Sequence, residues 1–462
     1  MLRIYNTLTH SEQDFTPIKA GEVGLYTCGP TVYGRAHVGN LRMYVFEDVL
    51  KRSLTMLGFK VKHVMNITDV GHLVGDGDAG EDKVESTAAR LGRTAWDIAK
   101  DYEAMFVEDT AKMNILPPDE MPRATAHIKE QIEMVQLLEK QGYTYTTSDG
   151  VYFDVAKFQK YGELSGQSLA DKLAGARVEE NEEKRHPADF ALWKFSPVGH
   201  KRHMEWESPW GVGFPGWHIE CSAMARAYLG QPFDIHCGGV DHIAVHHENE
   251  IAQSEAAYHE PLANYWMHGE FLLMDNQKMS KSLGNLYVLP EIVERGFEPL
   301  ALRLFFLGAN YRQKQNFSWT AMEMAQNSLK NIRREVSFLK KDGIPDLGFL
   351  EKFKTALSED LNTSKALAVL HQVFNSDLLA QDKGATVLVM DEVLGLDLEK
   401  SMDIPAVIAP KHVFELAKKR HVAKIAKDYA EADLLRKEIE GEGWNVIDGN
   451  FNGSVFKLEK RG

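Results

Sequence analysis

Between Glu22 and Ile67 the apolar pattern changes period twice, and that change confines the chain to a small set of folds. Glu22 to Cys28 (EVGLYTC) reads as a short buried strand, Gly29-Pro30 as a turn, and His37 to Leu57 as a helix by its apolar spacing. Lys60 to Ile67 (KVKHVMNI) returns to strand character. Strand, helix and strand in succession make a β-α-β unit of the kind found in nucleotide-binding α/β folds. The pattern resumes at Trp217 with a helix (HIECSAMARAYLG), a strand (PFDIHCGG) and a second helix (HHENEIAQSEAAY).

Two short segments in these halves carry phosphate chemistry. His37-Val38-Gly39-Asn40 stands where a strand hands over to a helix, so the first free amides of that helix point into the cleft above the sheet. A triphosphate fits there: His37 can donate to an α-phosphate as it becomes pentacoordinate, and Gly39 lets adenine or ribose approach the backbone. Lys278-Met279-Ser280-Lys281-Ser282 supplies two lysines on a Ser-rich loop, placed to neutralise charge on leaving pyrophosphate. Either segment alone is weak; their order and separation together point to ATP cleaved at the α-phosphate to activate a carboxylate.

Composition narrows the setting. No apolar run approaches the ~18 residues a membrane span needs, and MLRIYNTLTHSEQDF lacks the layout of a secretory signal, so a membrane role is excluded and the cytoplasm is the expected compartment. Three cysteines cannot build a disulfide framework, and their odd number argues for reduced thiols. The net charge of −14 speaks against a nucleic-acid partner at first sight. That balance reverses locally, because Lys411 to Lys427 holds six Lys or Arg residues against Glu415 alone. The acidic stretch Gly75 to Glu85 resembles a calcium loop only superficially, since Glu81 stands where that turn needs glycine; it reads as solvated loop.

The runs YTCGPTVYGRAHVGNLR, NITDV, PGWHIECSAM, HHENEIAQSEA and KMSKSLGN, in that order, resemble the cysteinyl-tRNA synthetases of the class I aminoacyl-tRNA synthetases, and the similarity extends into AKDYAEADLLRKEIEGEGW. It implies an α/β fold: a Rossmann-like class I catalytic domain with an inserted subdomain, then a helical bundle and a small α+β anticodon-binding module. The implied bounds are 1–115 and 216–309 for the catalytic halves, 116–215 for the insertion, 310–400 for the bundle and 411–462 for the terminal module. The implied reaction joins cysteine to ATP, releasing pyrophosphate, and passes the cysteinyl group to tRNA(Cys), with magnesium accompanying ATP. His37, Asn40, Lys278 and Lys281 are the catalytic candidates, and Gly39 with His37 and Lys281 the ATP contacts. Gly29, Thr68, Trp217 and Asp241 are implied as substrate contacts.

The cysteines agree with the resemblance. Cys28 ends the first strand nine residues before His37, so it lies at the same cleft edge; Cys221 lies in the first helix of the second half; His246 and Glu250 share one helical face. Two thiolates, an imidazole and a carboxylate suit tetrahedral zinc, and these positions match the family's zinc ligands. Such a metal binds a substrate thiolate and rejects serine, whose hydroxyl is neither soft nor ionised near neutral pH, so no editing module is needed.

At the end of the chain, Lys424, Tyr429, Asp433 and Asp448 are implied as tRNA contacts, with Tyr429 stacking on an unpaired base. A monomer is expected. Three departures stand out: Asn40 replaces the usual histidine of the first motif; IHCGGVDH replaces IHGGGSD, which puts Cys237, His236, His242 and His247 near the proposed zinc; and the loop after Asp69 is longer and more acidic than the family pattern leads one to expect. Cys237 reads as a bystander. The nearest rival function is a ligase joining cysteine to an amino-sugar, which needs no anticodon module; a catalytically dead RNA- or zinc-binding paralogue need not keep the motifs and ligands seen here.

Overall fold

A computed structural model describes residues 2–70, 82–169, 182–197, 199, 202–279, 284–402, 409–451 and 454–461. Two units of dense internal packing divide the chain: residues 1–330, 347–372 and 389–396 form the first, and residues 331–346, 373–388 and 397–462 the second.

The first unit begins with an antiparallel ribbon, β1 (Arg3–Asn6) and β2 (Ser11–Asp14). The expected β-α-β unit follows as β3 (Glu22–Thr27), the helix Val38–Met56 and β4 (Lys60–Met65), with β3 and β4 parallel. The insertion supplies a helix over Ile128–Lys140 and an antiparallel sheet of β5 (Thr144–Thr146), β6 (Gly150–Phe153), β7 (Phe190–Phe195) and β8 (Gly213–Pro215), in that spatial order. The second half gives the helix Trp217–Leu229, β9 (Phe233–Gly239), the helix His246–Tyr258 and β10 (Ala263–Gly269).

Both halves contribute to one parallel sheet, ordered β10-β9-β3-β4. From β3 the chain moves outward to β4, and from β9 outward to β10 on the other side. The β3/β9 junction is therefore the switch point, where a crevice opens at the carboxyl ends of the strands. Period-2 alternation decides what each face carries. Leu25, Ile235, Cys237 and Met267 point to a core that Phe46, Leu50 and Leu54 of the first helix complete at i, i+4 spacing. Tyr26 and His236 point to the opposite face, their rings 5.2 Å apart.

Beyond the sheet, β11 (Leu272–Met274) pairs with β12 (Gln277–Lys278) and with β13 (Gln315–Phe317). β13 interrupts the stretch expected to be helical, because its backbone pairs with a strand edge that local propensity cannot sense. Arg42, on the first helix, ties this region down: its guanidinium donates to the carbonyls of Glu270, Phe271 (2.8 Å) and Gln313. Of the acidic stretch, residues 71–81 lie outside the described residues; Asp82 caps the helix Lys83–Leu91 by accepting from the amides of Val84 and Glu85.

In the second unit the helices Lys411–Ile425 and Tyr429–Gly441 pack on β14 (Trp444–Phe451) and β15 (Ser454–Lys460), an antiparallel pair. Val413, Ala417, Ile439, Trp444, Val446 and Phe456 form its core. Most of the expected linker, residues 403–408, lies outside the described residues. No helix among the described residues is long and apolar enough to cross a membrane.

Candidate functional site

His37 caps the helix Val38–Met56, and Asn40 completes a reciprocal box. The Asn40 amide donates to His37 Nδ1 at 3.3 Å, and the His37 amide donates to Asn40 Oδ1 at 3.2 Å. Accepting at Nδ1 fixes the imidazole proton on Nε2. The unusual Asn40 thus has a local reason, since its carbonyl oxygen closes the box.

The lysine-rich segment reaches this helix start. A Cβ added to Gly39 would lie 3.0 Å from the His37 ring and 3.2 Å from the Met279 sulfur, a tight fit that the glycine relieves. Val38 donates to the Tyr287 carbonyl at 2.9 Å, and His37 and Val288 form an antiparallel bridge. Lys278 is exposed at the end of β12. Lys281 lies outside the described residues.

A cavity of about 580 Å³ runs over the β3/β9 crevice. Its lining includes His37 and Asn40 together with Cys28, Trp217, Cys221 and His246, but neither Gly39 nor Lys278. The ligand-capable atoms of Cys28, Cys221, His246 and Glu250 lie within 4.8 Å of one another, and all four side chains are buried. Tetrahedral zinc separates its ligands by roughly 3.3–3.8 Å, so a small contraction completes such a site. The donor set fits zinc in chemistry as well as spacing.

A second set, Cys28, His236, His247 and Glu250, satisfies the same distance test. Glu250 links the two: one carboxylate oxygen lies 3.0 Å from His246 Nε2 and the other 3.0 Å from His236 Nε2. His247 Nε2 is 3.2 Å from the Cys28 sulfur, while its Nδ1 is 2.8 Å from His268. His236 stacks on Trp266 at 4.6 Å. We favour the set with two thiols as the ligands, because thiolates are the softer donors and suit zinc better, and because His246 is held from behind by His218 at 2.9 Å, as a metal-ligating imidazole is. Cys237, by strand parity, faces the core and is wholly buried there.

Contact with Cys28 brings the Cys221 thiol down to about 6, whereas burial and the Cys221 neighbour push Cys28 well up. Burial opposes charge on His246, but Glu250 and Cys221 outweigh it and lift its pKa to about 10. Burial likewise opposes ionisation of Glu250, and His236 and His246 overcome it, holding the carboxyl well below its usual range.

The remaining expected contacts line the same cavity: Gly29, Thr68, Trp217 and Asp241. A Cβ on Gly29 would fall 1.7 Å from the Asn66 carbonyl oxygen, so only glycine fits. Thr68 Oγ1 accepts from Asn66 Nδ2 at 3.0 Å. Trp217 stacks on His246 at 4.4 Å, and the Asp241 side chain is 63% exposed at the rim. Sequence reasoning missed Glu47. It follows Asn40 and Tyr44 at i+7 and i+3 on one helical face, lines the cavity and is buried, with Oε2 unpartnered. Burial pushes its carboxyl well up against the opposing Thr27 hydrogen bond. That helical spacing was the available signal.

In the second unit Asp448 accepts from Arg420 at 2.7 and 2.9 Å and from Lys424 at 2.8 Å. Lys424 and Asp448 are thus paired with each other, whereas Tyr429 is 63% exposed and Asp433 is exposed one turn further along.

These features meet the known proteins at one place. A family profile described as the tRNA synthetases class I (C) catalytic domain matches residues 14–327, more than half of the chain. Methionyl-tRNA synthetase of Mycobacterium tuberculosis, solved in complex with methionyl-adenylate, shares the fold with a TM-score of 0.57 at 16% identity, over 82% of this chain and 91% of its own. A parallel sheet with a histidine-capped helix at its switch point is, in this company, a class I aminoacyl-tRNA synthetase catalytic domain. Cysteine–tRNA ligase 1 of Burkholderia lata is 50% identical over 97% of this chain and 95% of its own length. The cysteine–tRNA ligase of Thermus thermophilus is 40% identical over 99% and 100%. The chain belongs to the cysteine–tRNA ligase family.

Proposed function

We propose that this chain activates cysteine with ATP, forming cysteinyl-adenylate and pyrophosphate, and transfers the cysteinyl group to tRNA(Cys). The observation that carries the reading is the single cavity shared by the His37 helix cap and the Cys28/Cys221/His246/Glu250 cluster. Relatives of the same name cover the chain from end to end, terminal region included, which disfavours an amino-sugar ligase.

In this reading Cys28, Cys221, His246 and Glu250 hold zinc, which when bound takes the substrate thiolate as a soft ligand and so separates cysteine from serine. His37 Nε2–H faces the α-phosphate, while Gly39 leaves room for the nucleoside; the Val38 and Asn40 amides, expected to be free, are taken by the Tyr287 carbonyl and by His37 Nδ1. Lys278 and Lys281 neutralise charge on the departing pyrophosphate, with magnesium accompanying ATP as substrate. Trp217 and Thr68 bound the amino-acid end, and Asp241 at the rim accepts from the ammonium group. No side chain is required as general base; catalysis rests on positioning and charge stabilisation. In the terminal module Tyr429 stacks on an anticodon base and Asp433 reads base edges, and Lys424 and Asp448 act as a pair.

The test is cysteine-dependent exchange between ATP and pyrophosphate with serine as control, followed by charging of a tRNA(Cys) transcript. Exchange with cysteine alone and subsequent charging is the expected result. Exchange without charging overturns the transfer step, and equal exchange with serine overturns thiol selection.

A further inference from the structure

His242 has no role in the reading above, and its surroundings are unlike those of a structural histidine. It sits in the short helix Val240–Ile243 directly after β9, over the carboxyl edge of the sheet. The side chain lines the central cavity beside Trp217, Cys221 and His246, and retains 21% exposure there. Ring packing holds it. Its edge meets Trp217 at 6.4 Å with the planes at 83°, and its centroid lies 5.2 Å from His246 and 5.0 Å from His247. Gly238 makes the space, since a Cβ there would lie 2.6 Å from His242 Nδ1.

Hydrogen bonding does not explain the position. Nδ1 is buried with no partner, and Nε2 is 3.9 Å from the Asp241 carboxylate, beyond hydrogen-bond reach. Nor is it a member of either four-residue group that could converge on a metal. A neutral imidazole carries one N–H. Placing it on Nδ1 would bury a donor with nothing to accept it, so the proton belongs on Nε2, beside Asp241 at the cavity. Donor and acceptor thus stand side by side, 3.9 Å apart, on consecutive residues at the rim of the pocket. A zwitterion presents the complementary pair, a carboxylate for the donor and an ammonium for the acceptor.

We propose that His242 is a substrate-contacting, specificity-determining residue that donates from Nε2 to the carboxylate of the amino acid whose thiol faces the Cys28/Cys221/His246/Glu250 cluster. The inference rests on the reading that cysteine is the amino acid bound there. His242 then positions the nucleophilic carboxylate toward the phosphate end of the cavity while Asp241 takes the ammonium group.

The experiment uses the full chain loaded with zinc and follows cysteine-dependent ATP–pyrophosphate exchange, together with its inhibition by cysteamine, which has the thiol and the ammonium group but no carboxylate. His242→Leu keeps apolar packing on Trp217 and removes the donor; the KM for cysteine should rise about 10–100-fold, the range for a hydrogen bond to a charged group. His242→Gln keeps a donor of similar reach and should stay within about threefold of the parent. The inhibition constant of cysteamine should be the same in all three proteins. Zinc content and thermal midpoint are recorded for each, and His242→Asn, a shorter polar residue expected to lose as much as leucine, replaces the leucine variant if that one unfolds. A KM within twofold of the parent in the donor-removing variant overturns the proposal. So does a cysteamine constant that rises in step with the cysteine KM, because the contact would then not be with the carboxylate. Absence of cysteine-dependent exchange in the unsubstituted protein would instead overturn the underlying assignment of cysteine, and this inference with it.

Discussion

Zinc loading of the metal-free protein at about pH 7.5 should release about two protons, and the number follows from the four side chains taken in turn. Cys221, at about 6, is already thiolate, and Glu250 is ionised well below its usual range. Cys28 holds the proton of the thiol pair because burial and Cys221 push it up, and it must give that proton up to a metal. His246 carries the second proton, since its pKa reaches about 10 against Glu250. Displacing it two and a half pH units below that value opposes binding by about 3 kcal/mol. The logarithm of the apparent affinity should therefore climb by about two per pH unit around neutrality and more steeply below about 6, where Cys221 protonates as well. Titration calorimetry in buffers of different ionisation enthalpy reads the count as the slope of observed heat against buffer enthalpy. Glu250→Gln should lower the count, because His246 then loses the carboxylate that holds its proton and keeps only Cys221 against burial. A release below one proton or above three in the parent protein would refute the charge assignment, and an unchanged count in the variant would refute the role given to Glu250.

Lys278→Ala should lower the rate of ATP–pyrophosphate exchange about 100-fold with little change in the KM for cysteine, as loss of a group that acts on transition-state charge does; a KM effect alone would contradict that role. Gly29→Ala should cost about 1–3 kcal/mol of stability, read as a lower thermal midpoint, because the new methyl cannot share space with the Asn66 carbonyl. Glu47 has its folded pKa raised above the ordinary 4.5, so its contribution is fully present below that value and is lost as pH rises from there. Glu47→Gln should accordingly stabilise the protein near pH 8 and hardly at all near pH 4, and an equal shift at both would count against a protonated buried acid. Asp448 is the opposite case: Arg420 and Lys424 hold its carboxyl well below its ordinary range, so its contribution is present above about 4 and lost as pH falls. With its side chain 35% exposed, solvent screening limits the loss in Asp448→Asn to about 1 kcal/mol, measurable by thermal unfolding, while cysteine-dependent exchange should be unaffected.

Local pattern carried the sheet and the outline of the site. The strand Glu22–Thr27, the helix that His37 caps and the strand Lys60–Met65 all fall within a residue or two of where periodicity places them, because apolar spacing encodes which face a segment buries. The helix His246–Tyr258 coincides with HHENEIAQSEAAY, and with it the shared face of His246 and Glu250. What failed locally failed for want of a partner: β13 exists because β11 offers it an edge, and no window of sequence around Gln315 contains that edge.

The order and spacing of motifs alone determined the chemistry, the family and the residue types able to bind a metal, since each depends on covalent sequence and short-range geometry. Tertiary structure alone decided which neighbours face which. Strand parity turned His236 toward Glu250 and Cys237 into the core, although the two are consecutive. Packing brought Met279 against Gly39 across 240 residues, paired Lys424 with Asp448, and set the unpartnered imidazole of His242 beside Trp217. Those contacts depend on how the strands and helices are brought together, and neither propensity nor spacing contains that information.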